Sequence, residues 1–200
     1  MEIPFNKPYF SGAELEAVRQ SFINLHTSGC GPFTKKAESL LCDITSAPHS
    51  LLTTSCTHAL EVSAILLNLA PGDEVIVPSY TFATSALAFM MHGATPVFCD
   101  IRPDTLNIDE SLIENLITPK TKAIVVVHYA GVGCEMDKLV DIANTHNVAL
   151  IEDNAHGLFG TYNGKPLGTF GSLATQSFHE TKNISCGEGG ALLINDDYFL

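Results

Sequence analysis

A lysine near the end of the sequence has surroundings that suit covalent chemistry. Lys182 lies in the polar stretch from Gln176 to Asn183, shortly before the glycine-rich stretch from Gly187 to Gly190. A lysine that is desolvated in a pocket can lose its proton and attack a carbonyl carbon, whereas most lysines are solvated surface charges. From the residues alone, Lys182 is therefore a candidate nucleophile, and a plain surface charge is the alternative.

Two acids and a histidine follow a run of apolar residues. Glu152 and Asp153 end that run, and His156 comes three residues after Asp153. The carboxylate of Asp153 can pair with a cationic heterocycle, and burial would strengthen that pairing. A local pair of Asp153 and His156 within a loop is the alternative.

Two further stretches place polar or aromatic residues next to predicted elements. Residues 53–57, Thr-Thr-Ser-Cys-Thr, precede a helical pattern that begins at His58. Free N–H groups at a helix start, together with hydroxyl groups, can bind an anion. Residues 78–82 follow a predicted strand, and an aromatic side chain there can stack on a flat ring. An ordinary helix cap and a core aromatic are the respective alternatives.

The cysteines predict neither a metal site nor a disulfide framework. None of the six forms a C-x-x-C pair, and Cys56 and His58 lack a second close pair of ligands. The first ten residues, MEIPFNKPYF, are not a signal peptide, and no apolar stretch reaches the ~18 to 20 residues of a membrane span. We therefore expect a reduced, cytoplasmic, soluble protein without a membrane partner.

The charge balance excludes some classes of function. Lys and Arg number 10 against 22 Asp and Glu, which gives a net charge of -12 and argues against a nucleic-acid partner. The hydrophobic fraction of 46% and the charged fraction of 16% argue against a disordered chain. Because Arg19 and Arg102 are the only arginines, a site that binds anions with several arginines cannot lie wholly within these residues.

The elements that would position these side chains alternate between helices and strands. Capping residues Ser11 and Glu14 predict a first helix. Further helices are predicted around 37–41, from His58 to Leu69, over 84–92 and over 136–146, and strands over 74–78, 95–100, 123–128, 148–152 and at the end of 187–195. Alternating strands and helices predict an α/β fold with a parallel sheet covered on both faces, with ligands at the carboxyl ends of the strands.

In this order, the segments resemble the sugar-nucleotide aminotransferases of the DegT/DnrJ/EryC1/StrS family. The resemblance extends from residue 3 to residue 195, and its marks are TSCTHAL, PGDEVIVPSYTF, RPDTLNID, VVHYAGV, IEDNAH, SFHETKN and GEGG. It implies the pyridoxal-phosphate (PLP)-dependent transferase fold of the aspartate aminotransferase type. Residues 1–200 would then be the cofactor-binding large domain, with a mostly parallel sheet between helices. The family's small C-terminal domain would be absent from this chain.

The resemblance also implies roles for particular residues. Lys182 occupies the position of the family's Schiff-base lysine, which makes it the catalytic residue. Asp153 occupies the position of the carboxylate that pairs with the pyridine nitrogen of pyridoxal 5'-phosphate. His156 stands where family members carry Gln or His near the ring oxygen.

Four other positions match the family's cofactor-binding residues. Cys56 and Thr57 match the phosphate-binding turn, where the family more often has Gly-Thr, so Cys56 is a departure. Ser177 matches a phosphate-binding hydroxyl, and Phe82 matches the aromatic residue that stacks on the ring. Because the turn binds phosphate through backbone N–H groups, we expect the cysteine to be tolerated.

The phrases VHYAGV, PDTLNIDE and SFHETKN are most similar to one branch of the family. That branch transfers an amino group from glutamate to dTDP-4-keto-6-deoxyglucose in the synthesis of enterobacterial common antigen, and the family forms homodimers. The alternatives are a family aminotransferase that acts at C3 or on a UDP sugar, and a non-catalytic fragment that binds cofactor or another subunit. A related dehydratase branch has histidine in place of the lysine, so Lys182 argues against it.

Overall fold

A central sheet of seven strands forms the middle layer of the computed structural model, which describes residues 6–200. The strands, in chain order, are β1 His49–Thr53, β2 Glu74–Pro78, β3 Thr95–Cys99, β4 Thr121–Val127, β5 Ala149–Asp153, β6 Thr161–Tyr162, β7 Lys165–Pro166, β8 Leu173–Ser177 and β9 Gly190–Ile194. The helices are α1 Ala13–Ile23, α2 Pro32–Thr45, α3 Cys56–Leu66, α4 Thr84–Met90, α5 Glu110–Ile113 and α6 Met136–His146. Strands β6 and β7 form a separate antiparallel hairpin.

The strand order in the large sheet is β1-β9-β8-β5-β4-β2-β3. Strand β9 pairs antiparallel with both β1 and β8, and all other neighbouring strands are parallel. The expected parallel sheet is therefore confirmed for six strands, and β9 runs against them. Consequently the carboxyl ends of those six strands and the start of β9 lie at one edge of the sheet.

Buried apolar side chains cover both faces of the sheet. On one face, α3 and α4 pack over β2, β4 and β5 through residues such as Leu60, Phe89, Val125 and Ile151. On the other face, α6 packs over β4 and β5, and α2 packs over β8 and β9. A fully buried aliphatic or aromatic side chain contributes roughly 1.5–3 kcal/mol, so these two layers fix the sheet that carries the strand ends.

Most predicted elements form with small shifts of their ends. Helix α6 has the predicted bounds, and it is followed by Asn147, whose φ of 53° is the left-handed conformation common after helices. Helix α1 begins at Ala13 rather than Ser11, although the Glu14 carboxylate accepts the Ser11 N–H at 3.0 Å, as the capping pattern predicted. Helix α3 begins at Cys56, two residues before His58.

Strands β1 and β8 and the β6–β7 hairpin were not predicted. Strand β8 contains buried Thr175 and Gln176, and these polar residues interrupt the apolar run that would have indicated a buried strand. The predicted extended segment of residues 1–10 lies partly outside the described residues, and residues 6–10 form neither helix nor strand. No helix among residues 6–200 is long and apolar enough to cross a membrane.

Candidate active site

The carboxyl edge of the sheet surrounds a cavity of about 630 Å³. This volume lies within the roughly 300–1,000 Å³ that small-molecule sites occupy. All seven residues predicted to bind the cofactor line it: Cys56, Thr57, Phe82, Asp153, His156, Ser177 and Lys182. The structure thus brings together side chains that are up to 126 residues apart in sequence, as the numbers of Cys56 and Lys182 show.

The floor of the cavity is the amino end of α3. Ser55 caps the helix by accepting the His58 N–H at 3.1 Å, and the first N–H groups, including those of Cys56 and Thr57, have no partner within the helix. A Cβ at Gly190 would overlap the backbone of Ser55 and Cys56, so only glycine lets β9 approach the turn this closely. These features make a backbone cradle that suits a phosphate group.

Asp153 is a buried carboxylate at the end of β5. It is 4% exposed, and it accepts hydrogen bonds from Ser85 Oγ at 2.7 Å and from the Ala155 N–H at 3.2 Å. None of the ion pairs among residues 6–200 involves Asp153. A buried anion without a cation is unfavourable, so this carboxylate fits a cationic ring nitrogen.

Cys56 lies between the helix turn and Asp153. Its Sγ is 3.3 Å from Thr175 Oγ1 and 3.9 Å from Asp153 Oδ1. Desolvation of the thiol, together with the negative charge of Asp153, holds the pKa of Cys56 far above its ordinary value of 9.0. The side chain is therefore a neutral thiol, and it adds no charge to the anion cradle.

The lysine is carried by the loop between β8 and β9. The Lys182 N–H donates to the His179 carbonyl oxygen at 2.9 Å, which closes a turn. His179 Nδ1 in turn accepts the Thr181 N–H at 3.2 Å, and its Nε2 is 3.3 Å from Glu188 Oε1. Lys182 and Asp153 line the same cavity.

His156 is held in one tautomer. Its Nδ1 accepts the Ala130 N–H at 3.1 Å, so the neutral ring carries its proton on Nε2. Partial burial and the nearby charge of Lys182 lower the pKa of His156 below its ordinary value of 6.5, whereas Asp153 acts in the opposite sense. The ring is therefore a neutral donor at pH 7.

Two tyrosines line the cavity that were not singled out individually from the sequence. The hydroxyls of Tyr80 and Tyr129 are 2.9 Å apart, and their ring centroids are 4.7 Å apart. Tyr129 also contacts His156 edge-on, with centroids 5.7 Å apart, and the hydrogen bond with Tyr80 raises the pKa of Tyr129. Tyr129 directly follows the segment predicted as the clearest buried strand, 123–128, so the strand-end rule could have found it.

Two residues that contact the site without lining the cavity had weaker signals in the sequence. Thr175 lies on the unpredicted strand β8, and Ser85 contacts Asp153 from inside α4, where no motif marks it. A second cavity of about 270 Å³ shares Ala155, His156, Ser177, Thr181 and Lys182 with the first, which leaves space on another side of the lysine. None of the residues that line either cavity is an arginine.

Comparison with known proteins identifies relatives of this chain. The model of the DegT/DnrJ/EryC1/StrS aminotransferase family matches residues 9–199. GDP-perosamine synthase of Caulobacter vibrioides is 40% identical over 190 residues, which are 95% of this chain and 51% of that protein. The chain spans about half the length of the curated relatives it matches.

Solved structures show the same fold. Spr1654 of Streptococcus pneumoniae, solved in a PLP form and a PMP form, superimposes with a TM-score of 0.90 and 34% identity. The match covers 100% of this chain and 55% of the PLP-form chain. DesI in the presence of its TDP-sugar product has a TM-score of 0.89 and 32% identity, covering 98% of this chain and 50% of DesI.

Proposed function

The chain belongs to the DegT/DnrJ/EryC1/StrS aminotransferase family, and on that premise we propose that its cavity binds pyridoxal phosphate for amino-group transfer to a nucleotide-linked keto sugar. One observation carries the proposal. Lys182, the buried anion Asp153 and the amino end of α3 surround one cavity of about 630 Å³. These three features match the aldehyde, the ring nitrogen and the phosphate of that cofactor. Residues 1–200 are accordingly the cofactor-binding large domain.

Each group of the cofactor has a residue suited to hold it. The N–H groups of Cys56 and Thr57 and the hydroxyl of Ser177 would bind the phosphate, and Phe82, which is 73% exposed at the cavity, would cover the ring. His156, with its proton on Nε2, would donate to the ring oxygen. When bound, the cofactor supplies an electron sink for the carbon that loses its proton.

The chain's own residues would then perform the proton chemistry. Asp153 would keep the ring nitrogen protonated, because a buried carboxylate favours a neighbouring cation. Lys182 would hold the cofactor through Nζ, and its amine, when free, would accept the proton from the α-carbon of the amino donor.

The proposed substrates are glutamate as donor and dTDP-4-keto-6-deoxyglucose as acceptor, the reaction of a dTDP-4-amino-4,6-dideoxygalactose transaminase in enterobacterial common antigen synthesis. The segments VHYAGV, PDTLNIDE and SFHETKN support this assignment. The relative named GDP-perosamine synthase favours a second candidate, a GDP-linked 4-keto sugar. DesI, with its TDP-sugar product, supports a thymidine nucleotide.

A homodimer is part of the proposal, because residues 6–200 leave the substrate anions without arginine partners. Arg19 pairs with Glu16 at 2.8 Å, and Arg102 pairs with Asp104 at 2.8 Å and Glu110 at 3.2 Å. Glutamate and a nucleotide diphosphate both carry negative charges that need cations. We infer that a second subunit supplies them.

Two experiments test the proposal in turn: covalent attachment of the cofactor, and then the half-reaction with glutamate. The purified chain is mixed with pyridoxal phosphate, and borohydride reduction followed by peptide mapping is expected to place the cofactor's mass on Lys182. The loaded protein is then mixed with glutamate and followed by absorbance. Attachment at Lys165 or Lys138 instead of Lys182 would overturn the assignment of the site. Nucleotide choice is measured with dTDP- and GDP-linked keto sugars side by side.

A further inference from the structure

A second carboxylate is completely buried directly beside Asp153. Glu152 and His128 each have 0% side-chain exposure, and Glu152 Oε2 accepts from His128 Nε2 at 2.8 Å. Successive residues of a strand point to opposite faces, so Glu152 lies on the face covered by α2 and α6, away from the cavity. Neither residue lines the cavity, and neither has a role in the function proposed above.

The Glu152 carboxylate accepts four hydrogen bonds. Its Oε1 accepts the N–H groups of Phe170 and Gly171, both at 2.7 Å, and its Oε2 accepts the Gly168 N–H at 2.8 Å in addition to His128. All four bonds fix one carboxylate in one orientation. Because they come from two separate segments, they also fix those segments relative to β5.

The two segments lead to the other walls of the cavity. His128 comes directly before Tyr129, and its N–H donates to the Asp153 carbonyl oxygen at 3.2 Å. The turn at 168–171 leads into β8, which carries Thr175 and Ser177. Glu152 therefore connects, from behind the sheet, the three strand ends that present Tyr129, Asp153 and Ser177 to the cavity.

The protonation states of the pair are set by its surroundings. The Cys134 N–H donates to His128 Nδ1 at 3.2 Å, so His128 carries its proton on Nε2 and donates it to Glu152. Burial opposes ionisation of Glu152, but the hydrogen bonds from His128 and from the backbone prevail, and the pKa of Glu152 lies below its ordinary value of 4.5. The pair is a carboxylate and an imidazole that donates to it through Nε2–H.

We propose that Glu152 and His128 are positioning residues that hold Asp153 in the geometry required to pair with the cofactor's ring nitrogen. The inference rests on the proposed function, since it assigns Asp153 its partner. Among residues 6–200, the donors to the Asp153 carboxylate are the Ser85 hydroxyl, the Ala155 N–H of its own loop and, at the longer distance of 3.9 Å, the Cys56 thiol. The buried pair of Glu152 and His128 fixes the backbone on either side of the Glu152–Asp153 peptide. Loss of the pair would therefore let the Asp153 carboxylate move.

Four variants of the cofactor-loaded protein test this. Glu152→Gln removes the negative charge of the buried carboxylate. His128→Leu removes the Nε2–H group that donates to it. His128→Gln keeps a side-chain N–H donor near the position of Nε2 and should restore part of the wild-type behaviour. Glu110→Gln is the matched control, because Glu110 is also a buried carboxylate, 4% exposed, but it binds Arg102 and Lys138 away from the cavity.

Two readouts separate positioning from a general loss of stability. The dissociation constant for pyridoxal phosphate is expected to rise about 10-fold to 100-fold in Glu152→Gln and His128→Leu, by analogy with outer-shell partners of other bound groups. The pH at which the bound cofactor's absorbance changes should shift downward by about one unit, because a displaced Asp153 holds the ring proton less firmly. His128→Gln should recover part of both changes, and Glu110→Gln should cause neither.

The outcomes are distinct. If Glu152→Gln and Glu110→Gln lose equal stability and both keep the wild-type absorbance profile, Glu152 is structural only and the inference is wrong. If Glu152→Gln does not fold, the pair His128→Leu and His128→Gln decides by the same readouts. If the wild-type chain itself fails to bind pyridoxal phosphate at Lys182, the proposed function fails instead. In that case, nitrogen NMR of the cofactor-free chain still tests the predicted Nε2–H tautomer of His128.

Discussion

The two walls of the cavity are fixed in different ways. The wall at the end of β5 carries Asp153, which is 4% exposed, and behind it Glu152 is 0% exposed with four hydrogen bonds. The wall that carries Lys182 is the loop between β8 and β9, where Asn183, Ile184 and Glu188 are exposed and the contacts are mostly local. Burial thus fixes the carboxylate that is proposed to hold a charge in place, and the loop presents the lysine that is proposed to exchange partners.

The largest effect is expected from a substitution in the loop wall, which carries Lys182. Lys182→Ala should abolish covalent attachment of pyridoxal phosphate and slow the half-reaction with glutamate by at least about 10²-fold, since the base is lost. Peptide mapping after borohydride reduction and single-turnover absorbance measure the two effects. Lys165→Ala is the control, because Lys165 lies on the β6–β7 hairpin with its Nζ 4.4 Å from the centre of the Phe170 ring. Retained attachment in Lys182→Ala would contradict the assigned role.

The next largest effect is expected from a substitution in the buried wall that removes the charge of Asp153 but keeps the shape of its side chain. Asp153→Asn should slow the half-reaction by about 10²-fold or more, because a neutral side chain no longer favours the ring proton. Cofactor affinity should fall much less, since the cradle at Cys56, Thr57 and Ser177 is intact. Rapid mixing with glutamate and a binding titration measure the two quantities. Asp141→Asn, at an exposed position of α6, should leave both unchanged, and normal rates in Asp153→Asn would make Asp153 a loop carboxylate only.

A third change tests the floor that both walls share. Gly190→Ala should lower the free energy of unfolding by about 1–3 kcal/mol and weaken cofactor binding, because the added Cβ would overlap the backbone at Ser55 and Cys56. Chemical denaturation and cofactor titration measure the effects. Gly29→Ala places its Cβ in open space and is expected to be nearly neutral. Equal behaviour of the two variants would mean that β9 does not need its close approach to α3.

The smallest expected effect concerns pH. Because the folded-state pKa of His156 is lowered, the stability that it contributes is complete above its ordinary pKa of 6.5 and is lost as the pH falls through the lower folded value. His156→Gln should therefore lose less stability than the wild type between about pH 7.5 and about pH 5. Urea denaturation at the two pH values measures the difference. An identical pH dependence would show that His156 is not desolvated in the folded chain.

The same contrast explains how much the sequence could predict. Helix α6 and strand β4 have clear periodic or β-branched patterns, and both were predicted with correct or nearly correct bounds. Strand β8 was missed because Thr175 and Gln176 are polar yet buried, and only the paired strands on either side explain their burial. Short-range patterns cannot show a partner that lies in a distant part of the chain.

The site shows the same division between local and distant information. The stretch Glu152-Asp153 was recognised as two acids at a strand end, but which faces the cavity depends on the strand's orientation in the sheet. Ser85 reaches Asp153 across 68 residues of sequence, and no motif marks it. The resemblance to a family supplied positions for the cofactor-binding residues, whereas the buried support at His128 and Glu152 required the three-dimensional structure.

The neutral thiol of Cys56 has a consequence for the chemistry of electrophiles and oxidants. Thiolates, not thiols, react readily with peroxide and with alkylating agents, and the desolvated Cys56 holds its proton. Cys30 and Cys186, by contrast, are exposed. A cysteine at the turn that would bind phosphate therefore need not make the protein sensitive to oxidation at that turn. Oxidation would begin at the exposed thiols of Cys30 and Cys186, and the unreactive thiol of Cys56 would remain beside Asp153.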